Sequence, residues 1–230
     1  MNQKNQFIPE YNGNLRSNII RLPDAIRKAS GIKVFGKHIK SLLFSTDVAI
    51  IRNNNADAII AVYPFTPQPI ITHALILAAD LPIFCGVGGG LTTGKRSLEI
   101  ALDAEFQGAL GVVLNKPAPN QLIEKLKSKL EIPVMVTVVS EDEDFTGRIN
   151  AGVDIFNVSG AANTDKIVQK IRSLNSEISI IATGGKDEES ILKTIAAGAN
   201  AITYTPPTAG ELFRPIMDKY RRGESYNDKS

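Results

Sequence analysis

Cysteine occurs once in the 230 residues, at Cys85, and histidine twice, at His38 and His73. One cysteine cannot close an internal disulfide, and no metal-finger spacing can be written with it. That scarcity fits a reducing, cytoplasmic setting. No His, Asp and Glu triad of metal-binding type is evident, so no metal is expected. Long apolar runs are also missing. None approaches the roughly 20 residues of a membrane span, and no membrane partner is expected. The opening MNQKNQFIPEYNGN lacks an apolar core and does not read as a signal peptide. Charge of one sign is scarce too. Lys and Arg number 26 against 24 Asp and Glu, a formal charge of +2. Bulk electrostatics therefore draws no nucleic acid, and no basic stripe stands out.

What is present is a repeat. Eight short apolar runs each end in turn residues and lead into an amphipathic stretch. They are KSLLFS (40–45), DAIIAVYP (57–64), LPIFCGVGG (81–89), GALGVVLN (108–115), IPVMVTVVS (132–140), VDIFNVSG (153–160), ISIIATGG (178–185) and NAITYTP (200–206). Their continuous Val, Ile and Ala content suits parallel strands buried on both faces. Between them, 120–130, 164–174 and 187–199 place apolar residues at helical spacing, with Thr164 an N-cap candidate for the second. Apolar residues make up 43% of the chain, enough for a sizeable core. Eight β-then-α units predict a single-domain (β/α)8 TIM barrel over 19–223, a doubly wound sheet being the rival. The polar residues 1–18 read as a flexible arm and 224–230 as a tail. LPDAIRKAS (22–30) predicts an extra N-terminal helix, placed to plug the bottom of the barrel.

A barrel fixes geography, because its chemistry sits at the C-terminal strand ends. The third loop, GVGGGLTTGKRS, matches the G-x-x-x-x-G-K part of a P-loop at Gly89, Gly94 and Lys95. Arg96 stands where a magnesium-binding Ser or Thr is needed, so a P-loop NTPase is excluded. Gly88, Gly89 and Gly90 remain either an anion-binding backbone, with Lys95 or Arg96 adding charge, or a flexible loop. After the first strand, Asp47 is a candidate base or an N-cap. After the fourth, Lys116 is a candidate Schiff-base or phosphate-binding lysine or an exposed loop residue, with Asn115 beside it. Among EDEDF (141–145), solvated acids are expected, one of which could reach the mouth. Asn157 and Ser159 share one facing of the sixth strand. Tyr63 and Phe65 could wall a pocket. Cys85 and the two histidines read as structural.

IIATGG (180–185) followed by AAGANAITYT (196–205) resembles the phosphate-binding barrel superfamily, which includes ribulose-phosphate-type epimerases, thiazole synthase and FMN-linked barrels. The resemblance covers about the last fifty residues. It implies an anion site at Thr183, Gly184 and Gly185 and after the eighth strand, at Thr205 and Thr208. It also implies an enzyme of lyase, aldolase or isomerase type on a small phosphorylated metabolite, and leaves FMN as a candidate cofactor of an oxidoreductase. Pro206 and Pro207 depart from the pattern, since neither has an N–H to donate, and Glu211 would oppose an anion if it pointed inward. SIIATGG and AGANAITYTPPTAGELF resemble more faintly the glycerol-uptake antiterminator family, which would make the chain a non-catalytic ligand sensor. A hydrolase on the same scaffold and a homo-oligomer also stay open.

Overall fold

The eight apolar runs become eight parallel strands closed into a barrel. A computed structural model describes residues 7, 9–11, 13, 18–185 and 187–224. The arm expected over 1–18 falls mostly outside the described residues, and so do 225–230 of the tail. The strands of the barrel are β3 (Ser41–Phe44), β4 (Ala58–Ala61), β5 (Ile83–Gly88), β6 (Gly111–Leu114), β7 (Val134–Val138), β8 (Ile155–Val158), β9 (Ser179–Thr183) and β10 (Ala201–Tyr204). Each pairs in parallel with the next, and β10 closes on β3 through Ile202 opposite Ser41.

The helices follow their strands in order: α1 (Val48–Arg52), α2 (Pro69–Ala78), α3 (Gly94–Phe106), α4 (Asn120–Lys127), α5 (Phe145–Asn150), α6 (Thr164–Leu174), α7 (Glu188–Ala196) and α8 (Ala209–Arg221). Their inner faces bury Ile100, Leu122, Ile123, Leu126, Ile167, Ile171 and Ile191 against outward-facing strand residues such as Val112, Val136, Val158 and Ile180. This shell is the larger of two apolar clusters. Burial on both faces explains why the strands show no apolar–polar alternation. One helix expectation shifts at its end. Thr164 is the first residue of α6 rather than its cap. Its Oγ1 accepts from the Gly160 N–H at 3.1 Å and donates to the Ala161 carbonyl, closing the turn before the helix. α8 differs from the rest: it buries none of its residues, and Phe213, Met217 and Tyr220 are exposed.

The second cluster fills the barrel. The expected N-terminal helix is a short 3-10 segment, Asp24–Lys28, whose Ala25 and Ile26 join the outer shell. The plug is instead a hairpin, β1 (Ile32–Val34) and β2 (Lys37–Ile39), paired antiparallel. Ile32, Val34 and Ile39 pack with Leu42, Ala58, Phe84 and Ala201 in the interior cluster. The bottom is closed by side chains, which leaves the C-terminal end as the place for a ligand.

Candidate functional site

Alternation along the strands divides the interior into a dry floor and a polar mouth. Leu42, Ile60, Phe84, Val113, Met135, Ile155, Ile181 and Ala201 form the apolar layer. Two residues further along each strand, the next inward positions are Phe44, Val62, Gly86, Asn115, Thr137, Asn157, Thr183 and Thr203. The β3–β5 side therefore stays apolar, while β6–β10 contribute an amide or a hydroxyl each. A cavity of about 240 Å³ lies here, lined by Phe44, Ile60, Val62, Asn115, Thr137, Asn157, Ser159, Thr183, Thr203 and Thr205. None of these side chains is ionisable near neutral pH. The pocket offers one apolar wall and one wall of neutral donors and acceptors, the usual make-up of a small-molecule site.

The polar wall is only partly satisfied from within. Asn157 Nδ2 donates to Thr137 Oγ1 at 3.0 Å, across paired strands in register. Thr203 is 6% exposed, and its Oγ1 has no hydrogen-bond partner among the described residues. A buried hydroxyl left unpaired costs about 1–3 kcal/mol. Thr203 lines the cavity, so a ligand oxygen there would recover that cost. The sequence singles out Asn157 and Ser159 as polar strand residues but not Thr137 and Thr203. The same signal, a polar residue two places after an apolar inward one, was available for both.

Asp47 stands at the edge of this basin. Its Oδ1 accepts from the N–H groups of Ala49 at 2.8 Å and Ile50 at 3.2 Å, so it caps α1. It also lines a neighbouring cavity with Phe44, Thr46, Thr205, Pro206 and Thr208, which shares Phe44, Val62 and Thr205 with the lining of the central one. A cap of this kind fixes a carboxylate while leaving its second oxygen free to act. Asn115 lines both the central cavity and the one beside the glycine loop. Lys116 is placed differently. Its Nζ lies 3.8 Å from Glu143, and it lines none of these three cavities. Glu143 is the one acid of its run that turns inward. Its carboxylate meets the buried Arg148 guanidinium at 3.3 Å and accepts from the Val139 N–H at 2.8 Å. Arg148 in turn donates to the carbonyls of Lys116 and Ala118. This cluster holds the β6–α4 loop, and hence Asn115, in place.

The third loop adjoins the basin. β5 carries a bulge between Gly86 and Gly88, a device that re-aims a chain next to a site. The chain then turns through Gly89 and Gly90 to Thr92. A cavity of about 200 Å³ is lined by Gly86, Gly88, Gly89, Gly90, Leu91 and Thr92 on one side and by Tyr63, Pro64, Phe65 and Pro67 on the other. It meets the central cavity at Val62 and Asn115.

The loops expected to hold a phosphate carry a close-packed glycine and two capping boxes. A Cβ on Gly184 would come within 2.6 Å of Ile202 and 2.9 Å of Ile191, so its glycine lets α7 pack against β10. Gly185 has φ +86 and makes the turn into α7. At that helix's N-terminus Asp187 and Ser190 form a capping box, Asp187 accepting from the Ser190 N–H at 2.8 Å. At α8, Thr208 and Glu211 do the same, and Glu211 accepts from both the N–H and the hydroxyl of Thr208 at 2.8 Å. The N–H of Ser190 holds the Asp187 carboxyl below the usual range, and the N–H of Thr208 does so for Glu211. Both helix ends thus carry their own anion.

Cys85 faces the outer shell at 2% exposure, and burial pushes its thiol up to about 12. His38 is bonded to the Ser30 carbonyl at the barrel bottom, and His73 to Gln107 on the outer helices. Among the described residues no group of three His, Cys, Asp or Glu side chains is placed to hold a metal, and no helix is long and apolar enough to cross a membrane.

With this geometry in hand, the chain compares with known proteins through its fold. No family model matches it, and no curated protein does. Solved structures do. A protein assigned as a phosphonomutase from Burkholderia cenocepacia superposes with TM-score 0.60 at 13% identity, over 80% of this chain and 92% of that one. A mandelate oxidase variant with a monooxide FMN adduct gives 0.58 at 15%, over 77% of this chain and 68% of that one. A protein assigned as a dihydrodipicolinate synthetase from Pseudomonas aeruginosa gives 0.51 at 15%, over 65% and 59%. At such identities the likeness is one of fold: the chain is a (β/α)8 barrel, and these similar structures carry enzyme names of different chemistries.

Proposed function

We propose that this chain is an enzyme that takes a small polar metabolite into the C-terminal mouth of the barrel and moves a proton on it, in a lyase- or isomerase-type step. The observation that carries this reading is the unpartnered Thr203 hydroxyl, set in a half-ring of neutral donors and acceptors opposite Phe44 and Val62. Thr203 and the spare amide hydrogen of Asn157 hold a carbonyl or hydroxyl oxygen, and Asn115 orients the substrate from the facing strand. Oriented donors of this kind stabilise negative charge that develops on such an oxygen during proton abstraction. Asp47 is the proton-handling group, being the carboxylate on the wall of the basin. Covalent chemistry through Lys116 is disfavoured by its position beside Glu143, outside the cavities.

A second reading has its own support. The central cavity holds no ionisable side chain, which suits a ligand-sensing protein as well as an enzyme. The two separate experimentally. Thermal-shift and NMR screening with small hydroxy- and oxo-acids, with and without phosphate esters, identifies binders. Thr203→Val nearly preserves shape. It is expected to raise the stability of the free protein by about 1 kcal/mol, by removing an unpaired hydroxyl, while weakening the binder. Asp47→Asn keeps the cap and is expected to lower turnover at least 100-fold, in the range for loss of a general base. A binder with no turnover in the unaltered protein would favour the sensor. Binders that ignore Thr203→Val would sink both.

A further inference from the structure

The β5–α3 loop carries polar groups that the fold leaves unused. Thr92 is 3% exposed and Ser97 fully buried, and neither hydroxyl has a partner among the described residues. Thr92 lines the cavity beside the glycines. Ser97, in the first turns of α3, points at Gly88, where an added Cβ would lie only 2.1 Å from its Oγ. Glycine at 88 is thus what lets the Ser97 side chain pack against the back of the cavity wall. The start of α3 is also electrostatically unlike the ends of α1, α5, α7 and α8. Those are capped by Asp47, Asp144, Asp187 and Thr208 with Glu211. At α3 the Thr93 side chain makes no cap bond, no acid lies in the first turn, and Lys95 and Arg96 do. Lys95 is engaged by Glu99 at 3.4 Å. No ion pair is seen for the exposed Arg96 among the described residues.

We propose that this loop and the start of α3 form an oxyanion subsite that takes a phosphoryl group of the ligand held in the central cavity. The inference rests on the reading of the barrel mouth as a ligand site and moves the phosphate to a different part of it. The 13-residue helix presents free N–H groups and the positive end of its dipole. Thr92 supplies a buried hydroxyl on the cavity wall, and Arg96 supplies charge at the rim. Tyr63, Pro64 and Phe65 roof the subsite and limit water. The shared wall at Val62 and Asn115 lets one small molecule place its phosphoryl group here and its reacting carbons beneath Thr203 and Asp47. By contrast, the ends of α7 and α8 already hold carboxylates.

The test is a titration of the full chain with inorganic phosphate, followed by ¹⁵N–¹H NMR at constant ionic strength. Saturable shifts are expected in the amides of residues 89–97. Thr92→Val and Arg96→Gln are each expected to weaken phosphate at least tenfold, and Glu211→Gln to leave it unchanged. Arg96 is exposed, so that variant reports even if a buried substitution disturbs folding. Shifts confined to 184–185 and 208–212, a tenfold tightening by Glu211→Gln, or no saturable binding would each overturn the subsite. Thr203→Val should not alter phosphate alone. If phosphate binds at the loop but no metabolite responds to Thr203→Val, the mouth reading fails and the subsite stands. If metabolites respond to Thr203→Val while phosphate ignores Arg96→Gln, only the subsite fails.

Discussion

Asp47, Cys85 and Thr203 show how one side chain's surroundings decide its use. A carboxylate on a helix N-terminus is both structure and potential reagent, and the two roles separate by substitution. Asp47→Ala removes the cap and is expected to cost about 1 kcal/mol, whereas Asp47→Asn keeps an acceptor and should cost little. Chemical denaturation of the two variants checks this. Cys85 gives a pH prediction. Burial pushes its folded pKa up to about 12, against 9.0 for a free thiol. A group raised in the folded state contributes stability that is full below the unfolded pKa and is lost as pH rises toward the folded one. Stability should therefore fall between about pH 9 and pH 12, and Cys85→Ser should reduce this limb of the curve. Iodoacetamide at pH 8 should label Cys85 only after unfolding. Rapid labelling of the native protein would contradict its burial.

At the scale of elements, capping chemistry separates helices that merely end from helices that offer an end to a ligand. The expected acidic start of the helix after IIATGG is there, and its Asp187 is tied to Ser190. That the acids occupy the helix's own donors could not be read from their presence alone. The same holds for Glu211, which three residues of separation from Thr208 permit to close a capping box. Both carboxyls are held low by N–H groups, so their contribution is present above the usual carboxylate range and is lost as pH falls through their folded values. Asp187→Asn and Glu211→Gln are each expected to flatten the acid side of a melting-temperature profile between pH 7 and pH 3. An unchanged acid limb in both would show that the boxes do not form in solution.

At the scale of the molecule, the barrel is a shell of helices around a stacked interior whose lower end is sealed by β1 and β2. Ile39, fully buried in that seal, should cost about 2–5 kcal/mol when cut to alanine. Equilibrium unfolding in urea checks this. A loss well under 1 kcal/mol would mean that the hairpin does not close the barrel. The seal leaves the mouth as the open end of the interior, so the same variant should spare ligand binding wherever the protein stays folded.

The eight-strand rhythm was legible in the sequence because strands buried on both faces must be apolar throughout, and the turns between them need glycine, proline and small polar residues. So was the helix over 164–174, whose apolar spacing leaves no alternative period. The candidate site was only half legible. Asp47, Asn115 and Asn157 stood out as polar residues at strand ends, whereas Thr137 and Thr203 passed as ordinary strand threonines. The hairpin plug escaped notice because three-residue strands carry too little pattern, and their burial depends on a barrel existing above them. Whether a carboxylate faces a ligand or its own helix, and whether a lysine reaches a cavity or pairs with Glu143, was decided by tertiary structure alone. Local sequence sets which group is present, but its partners come from other strands, and those partners determine what the group is free to do.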